Sequence, residues 1–323
     1  MKYIQIQDYK KTNEIYTLWN KAYGCIFPIS EDLFQRNISN IYQNGSYVVL
    51  NDEDKMIGFI LTKIWEEEFK IPTYEDSGWI NLLYVDSKYQ NQGIGSRLLE
   101  LVEKEMRVLG KKRIYLGKDY LNYFPGLPVD LKNSASFFEK RGFDRPYDTY
   151  DLVKSIKGIY KQKLPLKNDA IQYKIASIVE KDQLIGFICK NWPGRWTKEA
   201  IDYFNNGGTG REYVLALDKG QICAFAKVGY PSTNINLISY SQTWRNRFDT
   251  LGGIGPLGVD IAYRKRNIGY DIVAFANNIL IDEGVSEIII DWTGLLDFYR
   301  HMGFEVFKSY FYMTKELKNE RKD

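Results

Sequence analysis

Tyr89-Gln-Asn-Gln-Gly93-Ile-Gly95-Ser96 opens an amphipathic segment that closes at Gly110, and Tyr263-Arg-Lys-Arg-Asn267-Ile-Gly269-Tyr270 opens one that closes at Gly284. The two starts lie 263 − 89 = 174 residues apart, as do the two ends, so the stretches align without a gap. A short apolar strand precedes each turn, Leu83-Tyr-Val85-Asp86 and Leu257-Gly-Val259-Asp260. A strand, a glycine-bearing turn and a helix in that order can hold a phosphate. The first helical turn leaves backbone N–H groups unpaired, and the helix dipole adds positive charge there. Gly93 and Gly95 let the backbone approach closely and adopt φ > 0. In the second copy Asn267 replaces the first glycine, and asparagine tolerates φ > 0; Arg264, Lys265 and Arg266 add charge. The helices carry apolar stripes, Leu98, Leu99, Val102, Met106 and Leu109 in one, Ile272, Val273, Ala276 and Leu280 in the other. Neither turn has the third glycine and later acidic residue of the dinucleotide fingerprint. A lone Gly-x-Gly before a helix is as often an ordinary loop; the preceding strand, the following helix and the second copy favour a ligand site.

The repeat continues on both sides. Tyr47-Val-Val-Leu, Asp52 to Asp54 and Ile57-Gly-Phe-Ile read as strand, turn and strand, matched by Tyr213-Val-Leu-Ala, Asp218-Lys-Gly220 and Cys223-Ala-Phe-Ala. Arg113-Ile-Tyr-Leu-Gly117 and Glu287-Ile-Ile-Ile-Asp291 are buried-strand patterns. Phe137-Phe138-Glu-Lys-Arg-Gly142-Phe143 matches Phe298-Tyr299-Arg-His-Met-Gly303-Phe304 at an offset of 298 − 137 = 161, so the first copy has 174 − 161 = 13 extra residues within Lys118 to Ser136. A spacing this long is a duplicated domain rather than a solenoid. The expected division is 1–156, a linker at 157–168 rich in lysine, and 169–323. Each copy reads as a mixed α/β layer: antiparallel strands, the turn with its helix, a strand, a helix and a last strand.

At 323 residues the chain has room for two domains, and its net charge of +3 does not point to nucleic acid. Three scattered cysteines make no disulfide or metal framework, which favours a cytoplasmic protein without a metal. The first residues lack a signal-peptide pattern, and no apolar run approaches the roughly 20 residues needed to cross a bilayer.

Gln90-x-x-Gly93-x-Gly95 after Leu83-x-Val85, with the later Phe-Phe/Tyr-Glu-Lys-x-Gly-Phe pattern, resembles the GNAT superfamily of acyl-CoA N-acyltransferases. The resemblance covers nearly the whole chain as two tandem domains, each a mostly antiparallel twisted sheet flanked by helices. It implies acetyl-CoA as cosubstrate, with Leu83, Tyr84 and Val85 beside the pantetheine arm and Gln90, Asn91, Gln92, Gly93, Ile94, Gly95 and Ser96 around the pyrophosphate. The second set is Leu257, Gly258 and Val259, then Arg264, Lys265, Arg266, Asn267, Ile268, Gly269 and Tyr270. A tyrosine in the last-helix motif often protonates the leaving thiolate in this family; here that position is Tyr299.

The first copy has Phe138 in place of that tyrosine and Gly117 where the second has Asp291. The second copy is therefore the expected catalytic domain, and the first binds a coenzyme or supports the fold. Tyr299 is the candidate acid and Asp291 the candidate base, direct or through water. The bland alternatives are a packed helix tyrosine and a strand-end cap. His301, two residues beyond Tyr299, points away on a helix. Asn191-Trp-Pro-Gly-Arg195-Trp196 and Trp244 are candidates for the acceptor wall, with ordinary core aromatics as the alternative. The Pro-Gly-Arg-Trp motif, the Phe124-Pro-Gly-Leu-Pro128 insertion, Gly255-Pro-Leu-Gly258 and the tandem layout resemble tandem GNAT proteins of low-GC Gram-positive bacteria. These include glucosamine/glucosaminide N-acetyltransferases, which implies an amino-sugar acceptor. Antibiotics, polyamines and a thiol-sugar amine stay open as acceptors, as do a homodimer and a non-catalytic acyl-CoA-binding protein.

Overall fold

The computed structural model describes residues 1–131, 133–157, 162–238 and 242–318. The chain divides into two compact units: Met1–Thr149 with the segment from Tyr310 onward, and Tyr150–Ser309. Along the first half run β1 (Lys2–Gln5), α1 (Asn13–Tyr23), α2 (Glu31–Ile38), β2 (Tyr47–Leu50), β3 (Met56–Ile64), α3 (Pro72–Glu75), β4 (Ser77–Val85), α4 (Ile94–Val108), β5 (Arg113–Leu116), β6 (Leu127–Pro128), α5 (Ser134–Glu139) and β7 (Asp148–Ser155). The second half holds β8 (Gln172–Ile175), α6 (Lys181–Asn191), α7 (Arg195–Asn205), β9 (Tyr213–Asp218), β10 (Gln221–Gly229), β11 (Leu251–Val259), α8 (Ile268–Asp282), β12 (Glu287–Thr293), α9 (Leu296–Arg300), β13 (Glu305–Phe311) and β14 (Thr314–Glu316). No helix among the described residues is long and apolar enough to cross a membrane.

In the first unit the sheet runs β1-β2-β3-β4-β5-β14. Its pairs are antiparallel except β4 with β5, which are parallel. The second unit repeats the plan as β8-β9-β10-β11-β12-β7, with β11 and β12 parallel, and β13 adds a further strand beyond β7. This is the mixed, mostly antiparallel architecture that the sequence predicts.

The repeats and the compact units do not coincide. At the offset of 161, β7 corresponds to the stretch that ends in β14. Yet β7 pairs with β12, from Glu287 opposite Ser155 to Ile290 opposite Leu152. In turn β14 pairs with β5, Thr314 opposite Tyr115. Each repeat thus gives its last strand to the sheet begun by the other. The expected linker does not hang free either. Residues 158–161 lie outside the described residues, but the rest follows α8. Leu164 N–H donates to Asn278 Oδ1 (2.8 Å), Asn278 Nδ2 donates back to Leu164 O (2.9 Å), and Lys167 N–H donates to Asp271 Oδ1 (2.8 Å).

The two long helices pack as their stripes dictate. Leu98, Leu99, Val102 and Met106 are buried, as are Ile272, Val273, Ala276 and Leu280. Each of these side chains except Ala276 contributes about 1.5–3 kcal/mol of burial. Leu109 departs from the stripe: α4 ends at Val108, and Leu109 caps it exposed. A glycine seats each helix. A Cβ on Gly78 would lie 2.4 Å from Met106 Sδ, and one on Gly252 would lie 2.8 Å from Leu280 Cδ2. Both pairs keep the 174-residue offset, so the close approach of helix to sheet is a property of the repeat. Gly252→Val should cost roughly 1–3 kcal/mol by overpacking, measurable as a lower midpoint in chemical denaturation. An unchanged midpoint would mean that Leu280 moves aside freely.

Candidate functional site

The two turns are nearly superposable in conformation. Asp86 N–H donates to Ile57 O (2.8 Å), and Asp260 N–H to Cys223 O (3.0 Å). Their side chains then accept from Lys88 N–H (3.0 Å) and Ala262 N–H (2.9 Å). Left-handed residues follow at matched places: Asn91 (φ 60°) and Gly93 (φ 84°) in the first turn, Lys265 (φ 62°) and Asn267 (φ 61°) in the second. Asn267 therefore fills the glycine role that its tolerance of φ > 0 permits. Helices α4 and α8 begin at the next residue, and each is 15 residues long. At their starts Arg97 N–H bonds Gly93 O and Asp271 N–H bonds Asn267 O. The amides before these have no acceptor within the helix and suit an anion. A Cβ on Gly93 would meet nothing within 4 Å, which leaves that room to a ligand.

The first turn has a cation that sequence reasoning missed. Arg141 donates to Ser96 Oγ (2.5 Å) and to Phe137 O (2.7 Å), and its guanidinium lies 3.8 Å from the Phe137 ring centre. It stands in the Glu-Lys-Arg-Gly motif quoted above, just before Gly142, so the signal was present. The second repeat has buried Met302 there, and its turn carries Arg264, Lys265 and Arg266, all exposed.

A cleft of about 400 Å³ opens in the first unit, lined by Leu83–Val85, Gln90, Asn91, Gly93–Ser96 and Arg141. Of the coenzyme residues expected in that repeat, Gln92 stands apart; its side chain donates to Lys88 O (3.2 Å) in an exposed position. The cleft exists because β4 and β5 pair only from Ser77/Arg113 to Ile80/Leu116 and then diverge. Where they part, β4 carries a bulge. Leu61 faces Leu82 while Thr62 faces Ile80, so Asn81 is the extra residue. Asn81 lines the cleft and is 6% exposed. Its Nδ2 donates to Asp119 Oδ1 (2.5 Å), and Asp119 Oδ2 accepts from Lys63 Nζ (2.7 Å). Asn81 Oδ1 has no hydrogen-bond partner, which costs roughly 1–3 kcal/mol while it stays so. An asparagine inside the apolar run Trp79-Ile-Asn-Leu-Leu was the available clue. The insertion closes one wall, with Phe124 packed edge-on to Phe27 at 5.3 Å. It also explains Gly117: a Cβ there would lie 2.4 Å from Phe124 O, so an aspartate at this place has no room.

In the second unit β11 and β12 pair from Leu251/Glu287 to Gly253/Ile289. Beside them the β10–β11 register slips around Gly255-Pro256, a cis peptide. Asp291 stands beside this bulge, its Oδ1 3.6 Å from where a Cβ of Gly255 would be. Tyr299, on α9, is 6% exposed and packs against Phe298 (4.8 Å) and Phe304 (6.0 Å). Burial pushes its phenol pKa up, and the negative charge of Asp291 adds to the rise. The structure thus brings the two candidates into one electrostatic neighbourhood with the phenol held protonated. Phe138 keeps the corresponding packing in the first unit, at 5.0 Å from Phe137 and 5.2 Å from Phe143. His301 caps α9 and is exposed.

Beyond Asp291 the strand is held by a residue of the first repeat. Asp151 on β7 is fully buried; its Oδ1 accepts from Trp292 N–H (3.1 Å) and its Oδ2 from Trp244 Nε1 (2.7 Å). Of the acceptor-wall candidates, Arg195 lies 4.2 Å from the Trp292 ring centre and pairs with Glu199 (2.5 Å). Trp196 is half-buried, tilted on Trp192 at 5.4 Å. Trp244 is 0% exposed. With its indole N–H taken by Asp151, it is a core tryptophan, and no sugar face can stack on it without displacing its neighbours.

A model of the acetyltransferase (GNAT) family matches residues 12–143, within the first repeat. No curated protein sequence matches the chain. Among solved structures, a GCN5-related glucosamine N-acetyltransferase region of a fungal multi-domain GH3 beta-N-acetylglucosaminidase is similar with a TM-score of 0.83 at 23% identity. The match covers 97% of this chain but only 38% of that protein. A tandem GNAT protein from the clavulanic acid biosynthesis pathway is similar with a TM-score of 0.66 at 12% identity, over 99% of both chains. A GCN5-related N-acetyltransferase from Sphaerobacter thermophilus gives 0.66 at 14%, over 93% of this chain and 89% of that one. Residues 12–143 thus match the acetyltransferase (GNAT) family, and these likenesses, all under 25% identical, show the same fold over both units.

Proposed function

We propose that the second unit carries out the transfer, moving the acetyl group of acetyl-CoA directly to the amine of an amino sugar such as glucosamine or a glucosaminide. The observation that carries this is that Asp291 stands on β12 just past its last pair with β11, beside the Gly255 bulge, and that its charge adds to the burial that raises the phenol pKa of Tyr299, against Phe138 and Gly117 in the first unit. The coenzyme would lie along Leu257–Val259 with its pyrophosphate at Arg264–Tyr270. It supplies an activated acyl group, and the chain's residues handle the protons. Asp291 takes the proton that the amine nitrogen loses as its lone pair forms the C–N bond, directly or through one water. Tyr299 gives its proton to sulfur as the C–S bond breaks. An alkylamine with a pKa of about 10.4 is mostly protonated at neutral pH, so a base near the attack point matters. Alignment of amine and thioester supplies several kcal/mol more. Arg195 and Trp196 would face the acceptor, Arg195 through a hydroxyl; Trp244 is dropped from this wall. The first unit, with its cleft and Arg141, would hold a coenzyme without chemistry.

The amino-sugar acceptor is supported by the description of the fungal region as a glucosamine N-acetyltransferase, at 23% identity. The deciding experiment measures free-thiol release from acetyl-CoA with glucosamine, short glucosamine oligomers, polyamines and aminoglycosides. Glucosamine or its oligomers should give the highest kcat/KM. A polyamine or aminoglycoside preferred by tenfold would overturn the acceptor, and no release with any amine would favour a non-catalytic acyl-CoA-binding protein.

A further inference from the structure

With Asp291 read as the base, we propose that Asp151 is its positioning residue: the carboxylate of Asp151 holds open the bulge in β12 that sets Asp291 beside the Gly255 bulge of β11. On β12 Ile290 stands opposite Leu152, and the next pair is Thr293 opposite Tyr150. Asp291 and Trp292 together therefore face one residue of β7, Asp151. Trp292 takes φ 48°, a left-handed conformation that a bulky side chain adopts where its surroundings impose it. Two contacts do so. Asp151 Oδ1 accepts the Trp292 N–H (3.1 Å), and the Arg195 guanidinium lies 4.2 Å from the centre of the Trp292 ring. The carboxylate is itself fixed, since Oδ2 accepts from Trp244 Nε1 (2.7 Å) and the residue is 0% exposed. At that depth Asp151 does not meet the acceptor amine; it acts through the backbone of β12.

The first unit meets the same demand in another way. At the offset of 174 its counterpart of Trp292 is Lys118, also left-handed at φ 54°. Lys118 N–H donates to Phe124 O (2.9 Å), a carbonyl of the insertion that the second repeat lacks. The freed N–H is thus a property of the repeat, and its acceptor is not. At the place of Asp151, 151 + 161 = 312, the first unit has Tyr312, which stacks on Tyr147 at 4.2 Å. Register supports this equivalence, because Val153 faces Ile289 as Thr314 faces Tyr115. The anchoring carboxylate therefore accompanies Asp291 and is missing where Gly117 replaces it. Without that acceptor β12 is free to close its bulge against β7, and a shift by one residue turns a side chain to the other face of the sheet. Asp291 then leaves its place beside Gly255.

The test follows free-thiol release from acetyl-CoA with glucosamine, or whichever amine of the panel above is acetylated fastest, in Asp151→Asn, Asp291→Asn and the double variant of the full chain. Asparagine keeps the shape of Asp151 but has one acceptor oxygen, so it must release either the Trp292 N–H or the Trp244 indole. Asp151→Asn should lower kcat by about ten- to a hundredfold, the scale of an ångström's misplacement, with KM for acetyl-CoA unchanged. In the Asp291→Asn background the same change should cost less than about twofold, because residues that act as a unit are not additive. The loss should also shrink as pH rises toward the pKa of the amine, where more of the acceptor is already neutral. Unchanged kcat in Asp151→Asn overturns the proposal. So does an equal loss in both backgrounds, which makes Asp151 a support of the fold alone, and so does a crystal structure of Asp151→Asn in which Asp291 keeps its place. If Asp151→Asn does not fold, Trp244→Phe, which frees Oδ2 and keeps an aromatic ring there, carries the same comparison with an expected loss of about threefold. If Asp291→Asn leaves kcat unchanged, the base reading itself is wrong, an outcome distinct from the others.

Discussion

Tyr299→Phe lowers kcat at least tenfold while acetyl-CoA binding by the chain persists. A tenfold loss corresponds to about 1.4 kcal/mol of transition-state stabilisation, a modest demand on a proton donor that acts only as the thiolate leaves. The substitution removes one hydroxyl from a ring that packs against Phe298 and Phe304, and phenylalanine stands at the matching place in the first unit, so the fold tolerates it. The pH profile gives a second check. The phenol's pKa is raised by burial and by Asp291, so the donor keeps its proton beyond its ordinary value of about 10. The wild-type enzyme should therefore show no alkaline loss of kcat from this group up to about pH 9. Unchanged turnover in Tyr299→Phe removes the residue from the mechanism.

A chain cut to residues 169–323, the second repeat alone, does not acetylate and does not fold stably. Without β7 the inner strand β12 loses one of its two partners, the one it pairs with from Glu287 to Thr293. The core loses Leu152 and Ile156, both buried in the cluster that holds Ile288, Ile290 and Tyr299. Asp151 goes with them, and with it the anchor of Trp292 next to Asp291. One large-to-small change in a core costs roughly 2–5 kcal/mol; a whole strand exceeds the usual 5–15 kcal/mol stability of a domain. Circular dichroism and thiol release on the fragment, alone and coexpressed with residues 1–156, measure this. A folded, active fragment would show that the exchanged strand is dispensable.

Much of this architecture is legible in the chain because it is written twice. The matched turns, the glycine seats at Gly78 and Gly252 and the equivalence of Asn267 with Gly93 all follow from one offset. Strand exchange is not legible that way. β7 and the end of the second repeat descend from one pattern, and periodicity gives a strand's faces without naming the strand beside it. Side-chain partners are hidden for a similar reason. Trp244 looks like a platform until Asp151, far away in sequence, takes its indole N–H. Arg141 is adjacent to Gly142, yet its reach to Ser96 spans 45 positions and depends on how α4 packs. Gly117 reads as a lost catalytic group, but the carbonyl of Phe124 shows a steric reason for it.

The place of β14 matters for how the protein is made. Among the described residues it is the last strand, and it closes the β5 edge of the sheet that β1 begins. During synthesis the first unit waits for Thr314–Glu316, far beyond β5 in the sequence, before that edge is covered. An uncovered edge is an invitation to pair with another chain, and contacts between distant parts of a sequence form slowly. A product truncated before Thr314 leaves an open edge on the half already made.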